Sequence, residues 1–292
     1  MKRFLIITTV ILAILSASLG FGVAIASKLT LLKVFLSLAP TNILLPTSNI
    51  LVLGIDDAFG HRSDTIMVLH ANPENKEASL ISVPRDTLAV LHGHSLGKIN
   101  HAYAYGGIEL ARKSVEDLLN VDIPYYLCVN LSGIVNIIDE LGGITIDVEH
   151  RMYYVDSAGD LNIDLNPGLQ KLSGKQAMGY VRFRSDGGDF SRIARQQKFI
   201  QALANELIKR DNVLRSPKLF LGLLSYVDTN LSSKQVLGLS LSMRTAFELG
   251  RVYLAVLPGT DLMVDGIYYW QPDKAGLKNI VEKYICGKQV IT

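Results

Sequence analysis

NILVLGIDD, at residues 49–57, has four apolar residues after Asn49, then Gly54 and Ile55, and ends on two aspartates. A continuous apolar run of this kind is typical of a strand that is buried on both faces of a sheet. Two more strand-like runs follow at 65–70 and 77–83, and the turn sequence NPEN at 72–75 separates them, which predicts a hairpin. The folded region therefore opens with three predicted strands whose ends carry charged residues.

Helical and strand-like patterns alternate beyond this hairpin. Residues 107–119 place apolar side chains at helical spacing, and residues 131–141 form a second helical pattern that Gly142-Gly143 ends. Such alternation predicts an α/β fold with a mixed central sheet covered by helices in three α-β-α layers. The remaining predictions are strands at 125–129, 144–148 and 251–257, and helices at 173–178, 191–210, 218–226, 232–249 and 273–284, with Ser173 and Ser191 as N-caps.

The N-terminal segment predicts one transmembrane helix. Phe4 to Ser27 carries no charge, and as a helix it would span about 36 Å, enough to cross a hydrocarbon core of about 30 Å. A cleaved signal peptide is the alternative, because Ala24-Ile25-Ala26 resembles a cleavage site, but the apolar stretch of a signal peptide normally has about 7–15 residues. We expect a cytoplasmic tail at 1–3, a transmembrane anchor at 4–27, a juxtamembrane linker at 28–48 and an extracytoplasmic domain at 49–292.

The bulk composition limits the classes of function. The 292 residues include 29 basic and 27 acidic side chains, a formal net charge of +2. Because a nucleic-acid-binding domain concentrates basic charge, we expect no nucleic-acid partner. The two cysteines, Cys128 and Cys286, lack zinc-ligand spacing, and Cys128 lies in an apolar run as expected of a buried thiol. A disulfide between them is an alternative that we do not favour.

Arginines and aspartates cluster where apolar runs end. Guanidinium groups bind phosphate oxygens through paired hydrogen bonds, and divalent metals bind carboxylates together with phosphate oxygens. Both residue types at several strand ends therefore predict a phosphate or pyrophosphate site with room for a metal. The clusters are RSDT at 62–65, PRDT at 84–87, RFRSD at 182–186 and RIAR at 192–195.

Four arginines between 182 and 195 form the densest part of this pattern. Arg182 and Arg184 are two apart in a strand-like stretch and so are expected to point to one side. Arg192 and Arg195 are three apart at the predicted start of a helix, where cations oppose the helix dipole unless an anion binds there. Pairing with the aspartates of the same segment is the alternative, and it would account for one or two of these arginines.

Three aspartates and one lysine complete the candidate site. Asp56 and Asp64 each adjoin a predicted strand, so their carboxylates converge as magnesium ligands if the two strands are adjacent; otherwise they cap loops. Asp86 follows Arg85 in the loop after a strand, where ligands often bind, although an aspartate there also forms turns. Lys98 lies in a polar turn before a helix and is expected to face the same anion.

Together these motifs resemble the LytR-CpsA-Psr family of bacterial cell-envelope proteins. Each motif alone is weak, but their order from about residue 49 to residue 207 is specific. The short N-terminal tail and the single anchor are also similar to that family. The matching segments are GID at 54–56, RSDT at 62–65, SVPRDT at 82–87, KINHAY at 98–103, LGGI at 141–144, LSGKQA at 172–177, YVRFR at 180–184 and DFSRIARQQ at 189–197, followed more loosely by LPG at 257–259 and YWQPD at 269–273.

The resemblance implies an extracytoplasmic phosphotransferase at the cell membrane. Members of that family take a glycan polymer from a polyprenyl-pyrophosphate carrier and attach it through phosphate to peptidoglycan, and the prenyl tail would lie in an apolar cavity between helices and sheet. The resemblance implies Mg²⁺ bound by Asp56 and Asp64, and catalytic roles for Asp64, Arg85 and Asp86, with Asp86 as the candidate general base. The residues implied for the pyrophosphate oxygens are Arg62, Arg85, Lys98, Arg182, Arg184, Arg192 and Arg195.

Three other functions remain open from the sequence. A non-catalytic module would hold polyprenyl phosphate for a partner protein, and a hydrolase would use the same site to cleave the pyrophosphate with water. A DNA-binding regulator is the third alternative, but the balanced charge and the expected export of the domain argue against it.

Overall fold

The computed structural model of the chain describes residues 45–56, 62–156, 161–183, 188–209 and 226–286. Across these ranges the structure contains no helix that is long and apolar enough to cross a membrane. The predicted anchor at 4–27, and the predicted helix at 218–226 except for its last residue, lie outside the described residues.

Strands and helices alternate along the described chain as predicted. The strands are β1 (Ser48–Asp56), β2 (Arg62–Asn72), β3 (Glu77–Val83), β4 (Leu88–Val90), β5 (Leu96–Lys98), β6 (Tyr125–Asn130), β7 (Ile144–Val148), β8 (Met152–Asp156), β9 (Leu161–Leu165), β10 (Gly168–Leu172), β11 (Val227–Thr229), β12 (Val252–Val256), β13 (Gly259–Val264) and β14 (Ile267–Pro272). The helices are α1 (His101–Leu119), α2 (Leu131–Glu140), α3 (Gly174–Arg182), α4 (Gly188–Lys209), α5 (Ser233–Glu248) and α6 (Lys274–Tyr284).

Six strands form the central sheet, in the order β11-β6-β1-β2-β3-β12. β1 runs parallel to β6 and β3 runs parallel to β12, whereas β2 and β11 run antiparallel to their neighbours. The sheet is therefore mixed, and the predicted hairpin of β2 and β3 is confirmed. Because of these directions, β1, β3, β6 and β12 all end at one end of the sheet, where β2 and β11 begin. We call this the carboxyl end of the sheet.

The two faces of the sheet pack against different helices. Leu51 belongs to a core that includes Val115 of α1 and Val281 of α6. Ile50, the preceding residue of the same strand, points to the other face and belongs to a core that includes Leu239 of α5. Helices thus cover both faces of the sheet, and the predicted α/β fold with α-β-α layers is confirmed.

A further core lies beside the sheet and holds the helices that flank the arginine-rich segment. The antiparallel pairs β7–β10 and β8–β9 contribute to it. Ile146 of β7, Ile163 of β9, Tyr180 of α3 and Phe199 of α4 are all buried within it. This packing fixes α3, whose last residue is Arg182, against the first half of α4.

One local prediction about the arginine-rich segment is wrong because a helix replaces the predicted strand. Arg182 ends helix α3, which a capping box at Ser173 begins and which continues past Met178. The stretch from Tyr180 to Phe183 alternates in polarity as a strand would, but Tyr180 and Val181 are both buried. Burial of two successive residues suits a helix wedged between α2 and α4, and a one-sided strand would expose one of them.

A second prediction about the same segment is also wrong. Helix α4 begins at Gly188, so Ser191 lies inside the helix and does not act as its N-cap. Arg192 and Arg195 consequently lie beyond the first helical turn, where the helix dipole has little effect on them. Their placement must have another cause, which is their packing against the core and the sheet.

The remaining differences are smaller. α1 begins at His101, earlier than predicted, and is interrupted by non-helical backbone at Gly106 and Gly107, where the predicted helix began. Three hairpins, β4–β5, β8–β9 and β13–β14, are short and largely exposed and were not predicted. Cys128 is buried as predicted and Cys286 is exposed, and no disulfide joins them.

Candidate active site

The segments predicted to bind an anion converge at the carboxyl end of the sheet. β1 ends at Asp56, β2 begins at Arg62, and β3 ends at Val83, one residue before the PRDT motif at 84–87. β6 ends here at Asn130, and helix α2 begins with the next residue. Ligands of α/β sheets typically bind outside the carboxyl ends of the strands, so this is the expected position of a site.

The backbone brings the two predicted metal ligands to neighbouring strands. Asp56 is opposite Arg62 in the β1–β2 ladder, and the register shifts between Gly54 and Ile55. Asp64 is the extra residue that this shift leaves on β2, as in a β-bulge. The adjacency of the two strands, on which the predicted convergence of Asp56 and Asp64 depended, is confirmed.

The loop that contains Arg85 is held by backbone hydrogen bonds. The amide and the hydroxyl of Thr87 both donate to the carbonyl oxygen of Pro84, at 3.0 and 2.6 Å. Ile99 donates its amide to the Thr87 carbonyl at 2.9 Å, and Asn100 donates its amide to the Arg85 carbonyl at 3.2 Å. Since Asn100 is the N-cap residue of α1, the loop lies beside the N-terminus of that helix, a position that favours an anion.

Asp86 lies between two cationic side chains. Its Oδ1 is 2.7 Å from Lys98 Nζ, and its Oδ2 is 3.5 Å from Arg85 Nε. The three side chains are only 13–21% exposed. The structure therefore brings together Arg85, Asp86 and Lys98, which the sequence had grouped from separate motifs, and it directs both carboxylate oxygens of Asp86 at cations.

Arg195 is a buried cation that contacts Phe183, the residue after Arg182. Only 4% of Arg195 is exposed, its Nη2 donates to the Phe183 carbonyl at 2.5 Å, and its guanidinium lies 5.8 Å from the centre of the Phe183 ring. Burial lowers the pKa of Arg195, while the nearby Tyr180 and Glu149 act in the opposite direction. In the described part of the chain its direct contacts include no carboxylate. A guanidinium in this position favours binding of an external anion.

Helix α4 carries this buried arginine to the carboxyl end of the sheet. Gln197 Nε2 donates to Ser82 Oγ at 3.1 Å and to a carbonyl oxygen of β12 at 3.2 Å. Ser82 is three residues before Arg85, so the turn of α4 that includes Arg195 lies close to the start of the Arg85 loop. Arg192, one turn earlier, is 7% exposed.

A hydrogen-bonded carboxylate ties α3 and α4 to the end of β7. Tyr180 donates its hydroxyl to Glu149 Oε1 at 2.8 Å, and Lys198 Nζ lies 2.7 Å from the same oxygen. Burial alone would raise the pKa of Glu149, but the hydrogen bonds from Lys198, its own backbone amide and Tyr180 outweigh it and lower the pKa below its ordinary value. Burial and the bond to Glu149 raise the pKa of Tyr180. This network fixes the helix turns on either side of Arg195.

The buried polar atoms without a hydrogen-bond partner in the described part of the chain include three in this region that bear on a ligand. They are Ser63 Oγ between two site residues of β2, Asn100 Oδ1 beside the Arg85 loop, and Arg195 Nε. Leaving a buried polar atom unpaired costs about 1–3 kcal/mol. A polar ligand at the carboxyl end of the sheet would satisfy such groups, the amide of Asn100 in either orientation.

A cavity of about 470 Å³ opens near the same end of the sheet. Ile55 and Cys128 line it from β1 and β6, Tyr103 lines it from α1, and Asn130 and Asp228 add polar groups. Ile55 immediately precedes Asp56 in the chain. The lining of the cavity mixes apolar and polar side chains.

Asp56 and Asp64 are the predicted carboxylate ligands of a magnesium ion, and the backbone places them on paired strand ends. The described residues contain no group of three or more His, Cys, Asp or Glu side chains that could hold a metal by themselves. Magnesium needs fewer protein ligands, because one or two carboxylates suffice when phosphate oxygens and waters fill the remaining positions. The backbone positions of Asp56 and Asp64 are compatible with such a pair of ligands.

The structure does not test every predicted residue. Arg184 lies outside the described residues. Sequence reasoning missed two contributors, Gln197, which the charge pattern did not single out, and Tyr269, whose motif YWQPD was noted without a role. The predicted residues found at the carboxyl end of the sheet or on the helices beside it are Asp56, Arg62, Asp64, Arg85, Asp86, Lys98, Arg182, Arg192 and Arg195.

Comparisons of sequence support one family. The model of the LytR_cpsA_psr family matches residues 45–285 of this chain. The Regulatory protein MsrR of Staphylococcus aureus strain COL is 39% identical over 203 residues, which are 67% of this chain and 61% of MsrR. The chain thus matches about three fifths of the length of that relative. The polyisoprenyl-teichoic acid–peptidoglycan teichoic acid transferase TagU of Enterococcus faecalis strain V583 is 32% identical over 80% of this chain and 78% of its own length.

A comparison of folds agrees with the sequence comparisons. The crystal structure of TagV from Bacillus subtilis superposes with a TM-score of 0.72 at 30% sequence identity. The match covers 82% of this chain and 97% of that one. The mixed sheet with helices on both faces is therefore the fold of solved proteins that are also similar in sequence.

Proposed function

The chain belongs to the LytR_cpsA_psr family, and we propose that it is a membrane-anchored phosphotransferase that moves a glycan polymer from a polyprenyl-pyrophosphate carrier onto peptidoglycan. The observation that carries this proposal is the buried guanidinium of Arg195, which contacts Phe183 at the end of helix α3. Fixed positive charge in a buried position suits a multiply charged anion such as pyrophosphate. The similarity to the E. faecalis transferase supports the choice of a lipid-linked donor and a peptidoglycan acceptor.

The proposed reaction is a phosphoryl transfer in one displacement. A hydroxyl oxygen of the acceptor attacks the phosphorus that carries the glycan, and a new P–O bond forms. The bond from that phosphorus to the bridging oxygen breaks, and polyprenyl phosphate leaves with the electron pair. The hydroxyl proton passes to a base, and the glycan remains joined to the acceptor by a phosphodiester.

The cationic side chains bind the donor and stabilise charge in the transition state. We assign the phosphate oxygens to Arg85 and Lys98 on one side and to Arg182, Arg192 and Arg195 on the other, because these side chains are supplied by the loop after β3 and by the helices beside it. Preorganised donors in a partly buried site stabilise developing negative charge more than water does. The sequence assigns Arg62 and Arg184 to the same role, which stays a prediction.

Asp56 and Asp64 are the proposed ligands of Mg²⁺. When bound, the metal neutralises negative charge on the pyrophosphate. Their backbone positions on adjacent strand ends leave the remaining coordination positions to phosphate oxygens and water. Asp64, as the bulged residue of β2, also stays a predicted catalytic residue.

Asp86 is the predicted general base of this mechanism, and that role stays a prediction. Both of its oxygens already contact cations, Lys98 at 2.7 Å and Arg85 at 3.5 Å. This geometry favours a role for Asp86 in orienting the two cations.

We propose that the cavity between the sheet and α1 admits the first part of the prenyl chain. Ile55 and Cys128 in its lining support this use, and Ile55 immediately precedes Asp56, one of the proposed metal ligands. The anchor predicted at 4–27 supports a location at the cell membrane with the domain outside, where both the lipid carrier and peptidoglycan are available.

An assay with full-length protein in detergent separates the candidate functions. The components are a polyprenyl-pyrophosphate saccharide labelled in the sugar, MgCl₂ and peptidoglycan fragments. Transfer predicts label covalently attached to peptidoglycan and release of polyprenyl phosphate. Accumulation of free phosphorylated saccharide would identify a hydrolase, and unchanged donor that stays bound to the protein would identify a binding module. Either of these outcomes contradicts the proposed function.

A further inference from the structure

The structure gives a physical role to the LPG and YWQPD motifs near the C-terminus. Residues 257–259 and 269–273 form the base of the β13–β14 hairpin. Leu257 donates its amide to the Ser82 carbonyl at 2.9 Å, and Asp273 donates its amide to the Pro258 carbonyl at 2.9 Å. The hairpin base is thus bonded both to β3, just before the Arg85 loop, and to itself.

Trp270 joins this hairpin to the Arg85 loop. Its backbone amide donates to the Asp86 carbonyl at 2.9 Å, and its indole Nε1 donates to the Leu257 carbonyl at 3.1 Å. Thr87, the next residue of the loop, forms an isolated parallel bridge with Trp270. Trp270 is buried, so these bonds are shielded from water and add to those that hold the loop beside α1.

Close packing at the hairpin base leaves it little freedom to move. A Cβ added to Gly259 would lie 2.3 Å from the Gln271 carbonyl oxygen and 2.7 Å from Trp270 Nε1. Such distances are far inside van der Waals contact, so only glycine allows the two strands to approach this closely. The hairpin base is therefore a rigid support for whatever it contacts.

Tyr269 is the side chain through which this support reaches a cation of the site. Lys98 Nζ lies 5.6 Å from the centre of the Tyr269 ring and 2.7 Å from Asp86 Oδ1, and Asp86 in turn contacts Arg85. An aromatic face attracts an ammonium group at such distances, more strongly where water is partly excluded. The contacts form a chain that runs from Tyr269 through Lys98 and Asp86 to Arg85.

We propose that Tyr269 is a positioning residue for phosphoryl transfer: its ring fixes Lys98, Lys98 fixes Asp86, and Asp86 orients Arg85. This inference rests on the proposed function, since it assigns Arg85 to the pyrophosphate. Asp86 is accordingly the central link of a chain of oriented charges. Tyr269 itself touches none of the reacting atoms, and its effect is expected in turnover more than in donor binding.

The test is a double-mutant cycle in the transfer assay with full-length protein. Tyr269→Leu removes the ring and is expected to lower kcat about tenfold, with KM for the lipid donor changed less than about twofold. Tyr269→Phe keeps the ring and is expected to retain kcat within about twofold. The matched control is Tyr268→Leu, one residue earlier on β14, whose hydroxyl contacts Asp261; it is expected to leave kcat unchanged.

The second arm of the cycle distinguishes positioning from a general structural effect. In a Lys98→Met background the ring has no cation to hold, so Tyr269→Leu is expected to lower kcat less than about twofold further. Trp270 is the only tryptophan of the chain, and an unchanged emission maximum in each variant verifies that the hairpin base is folded.

The possible results distinguish the positioning role of Tyr269 from the proposed phosphotransferase function. Wild-type kcat in Tyr269→Leu, or the same tenfold loss in the Lys98→Met background, overturns the positioning role while the proposed function stands. The positioning role is also overturned if Tyr269→Leu shifts the Trp270 emission maximum and Tyr269→Phe loses as much kcat as Tyr269→Leu does. Absence of transfer by the wild-type protein overturns the proposed function, and this inference falls with it.

Discussion

At the scale of single residues, the site depends on buried cations whose identity is visible in the sequence and whose environment is not. The arginines of RIAR stood out because few structural roles require so much positive charge in a short segment. Their burial follows from contacts that no local pattern encodes, such as Arg195 with Phe183 or Gln197 with Ser82. Tyr269 escaped assignment for the same reason, because its partner Lys98 is distant in the chain.

Arg195→Met tests whether the buried charge serves a ligand. A buried cation without a carboxylate contact is costly to the fold, so the isosteric apolar residue is expected to leave the free energy of unfolding unchanged or raise it by about 1 kcal/mol or more. Transfer is expected to fall about 10²–10³-fold, as for loss of one preorganised donor. Urea unfolding and the transfer assay measure the two effects.

The matched control for this prediction is Arg151→Met. Arg151 is exposed and pairs with Asp164 on the β8–β9 hairpin. Its replacement is expected to change both stability and transfer little. A large loss of stability in Arg195→Met with near-normal transfer would show that Arg195 is structural.

The lowered pKa of Glu149 predicts that the free energy of unfolding depends on pH. Because its pKa is lowered on folding, the ionised carboxylate stabilises the native state above the ordinary value of 4.5, and this contribution is lost as the pH falls below 4.5 through the folded pKa. Glu149→Gln is expected to lower the free energy of unfolding at pH 7 by about 0.5–1 kcal/mol, a value reduced for the partial exposure of the pair.

Urea unfolding of wild type and Glu149→Gln across pH 7 to pH 3 measures this effect. The difference between the two proteins is expected to shrink below pH 4.5 and to disappear at the acid end. A difference that stays constant across the whole range would mean that the charge of Glu149 contributes nothing.

At the scale of elements, the position of the site follows from the directions of the strands, since β1, β3, β6 and β12 all end at the carboxyl end of the sheet. The three strands predicted at the start of the domain are present, and two of them form the predicted hairpin. They were predictable because a continuous apolar run indicates a strand that is buried on both faces. Asp56, Asp64 and Arg85 consequently lie at or next to strand ends. The predicted strand around Arg182 is wrong. The local sequence pattern is compatible with a strand or a helix, and packing of α3 against α2 and α4 makes the segment helical. The hairpins β8–β9 and β13–β14 escaped notice because their outer faces are exposed.

The approach of α3 to α2 gives a prediction at this scale. A Cβ added to Gly174, the first residue of α3, would lie 2.3 Å from the Val135 carbonyl oxygen. Gly174→Ala is therefore expected to lower the free energy of unfolding by about 1–3 kcal/mol through forced separation of the helices.

Gly97→Ala is the matched control, because its added Cβ would meet Leu91 at an ordinary 3.6 Å. It is expected to change stability by less than about 0.5 kcal/mol. Thermal or urea unfolding measures both variants, and equal stabilities would contradict the close helix contact.

At the scale of the whole molecule, the proposed function combines a phosphotransferase domain with a predicted membrane anchor. The described domain matches the family model from residue 45 to residue 285, and the segment before it carries the predicted anchor. The anchor stays a prediction, which rests on the length of the uncharged segment. Composition alone does not indicate an anion site, since the net charge of +2 does not reveal the local clusters of arginine.

The predicted orientation is testable with a C-terminal reporter that is active only outside the cytoplasm. We expect the full-length fusion to be active and cell-associated, and a fusion that lacks residues 1–27 to be inactive. Activity of the truncated fusion, or an inactive full-length fusion that is stably produced, would contradict the proposed location.

The most direct test of the central claim is mass spectrometry of the full-length protein purified in mild detergent. The claim is that the carboxyl end of the sheet binds a polyprenyl-linked phosphate or pyrophosphate through Arg195 and its neighbours. Wild-type protein is expected to co-purify with such a lipid, and Arg195→Met, folded and equally abundant, is expected to carry much less of it. Equal amounts of the lipid in both proteins, or none in the wild type with the site intact, would show that Arg195 does not bind such a ligand.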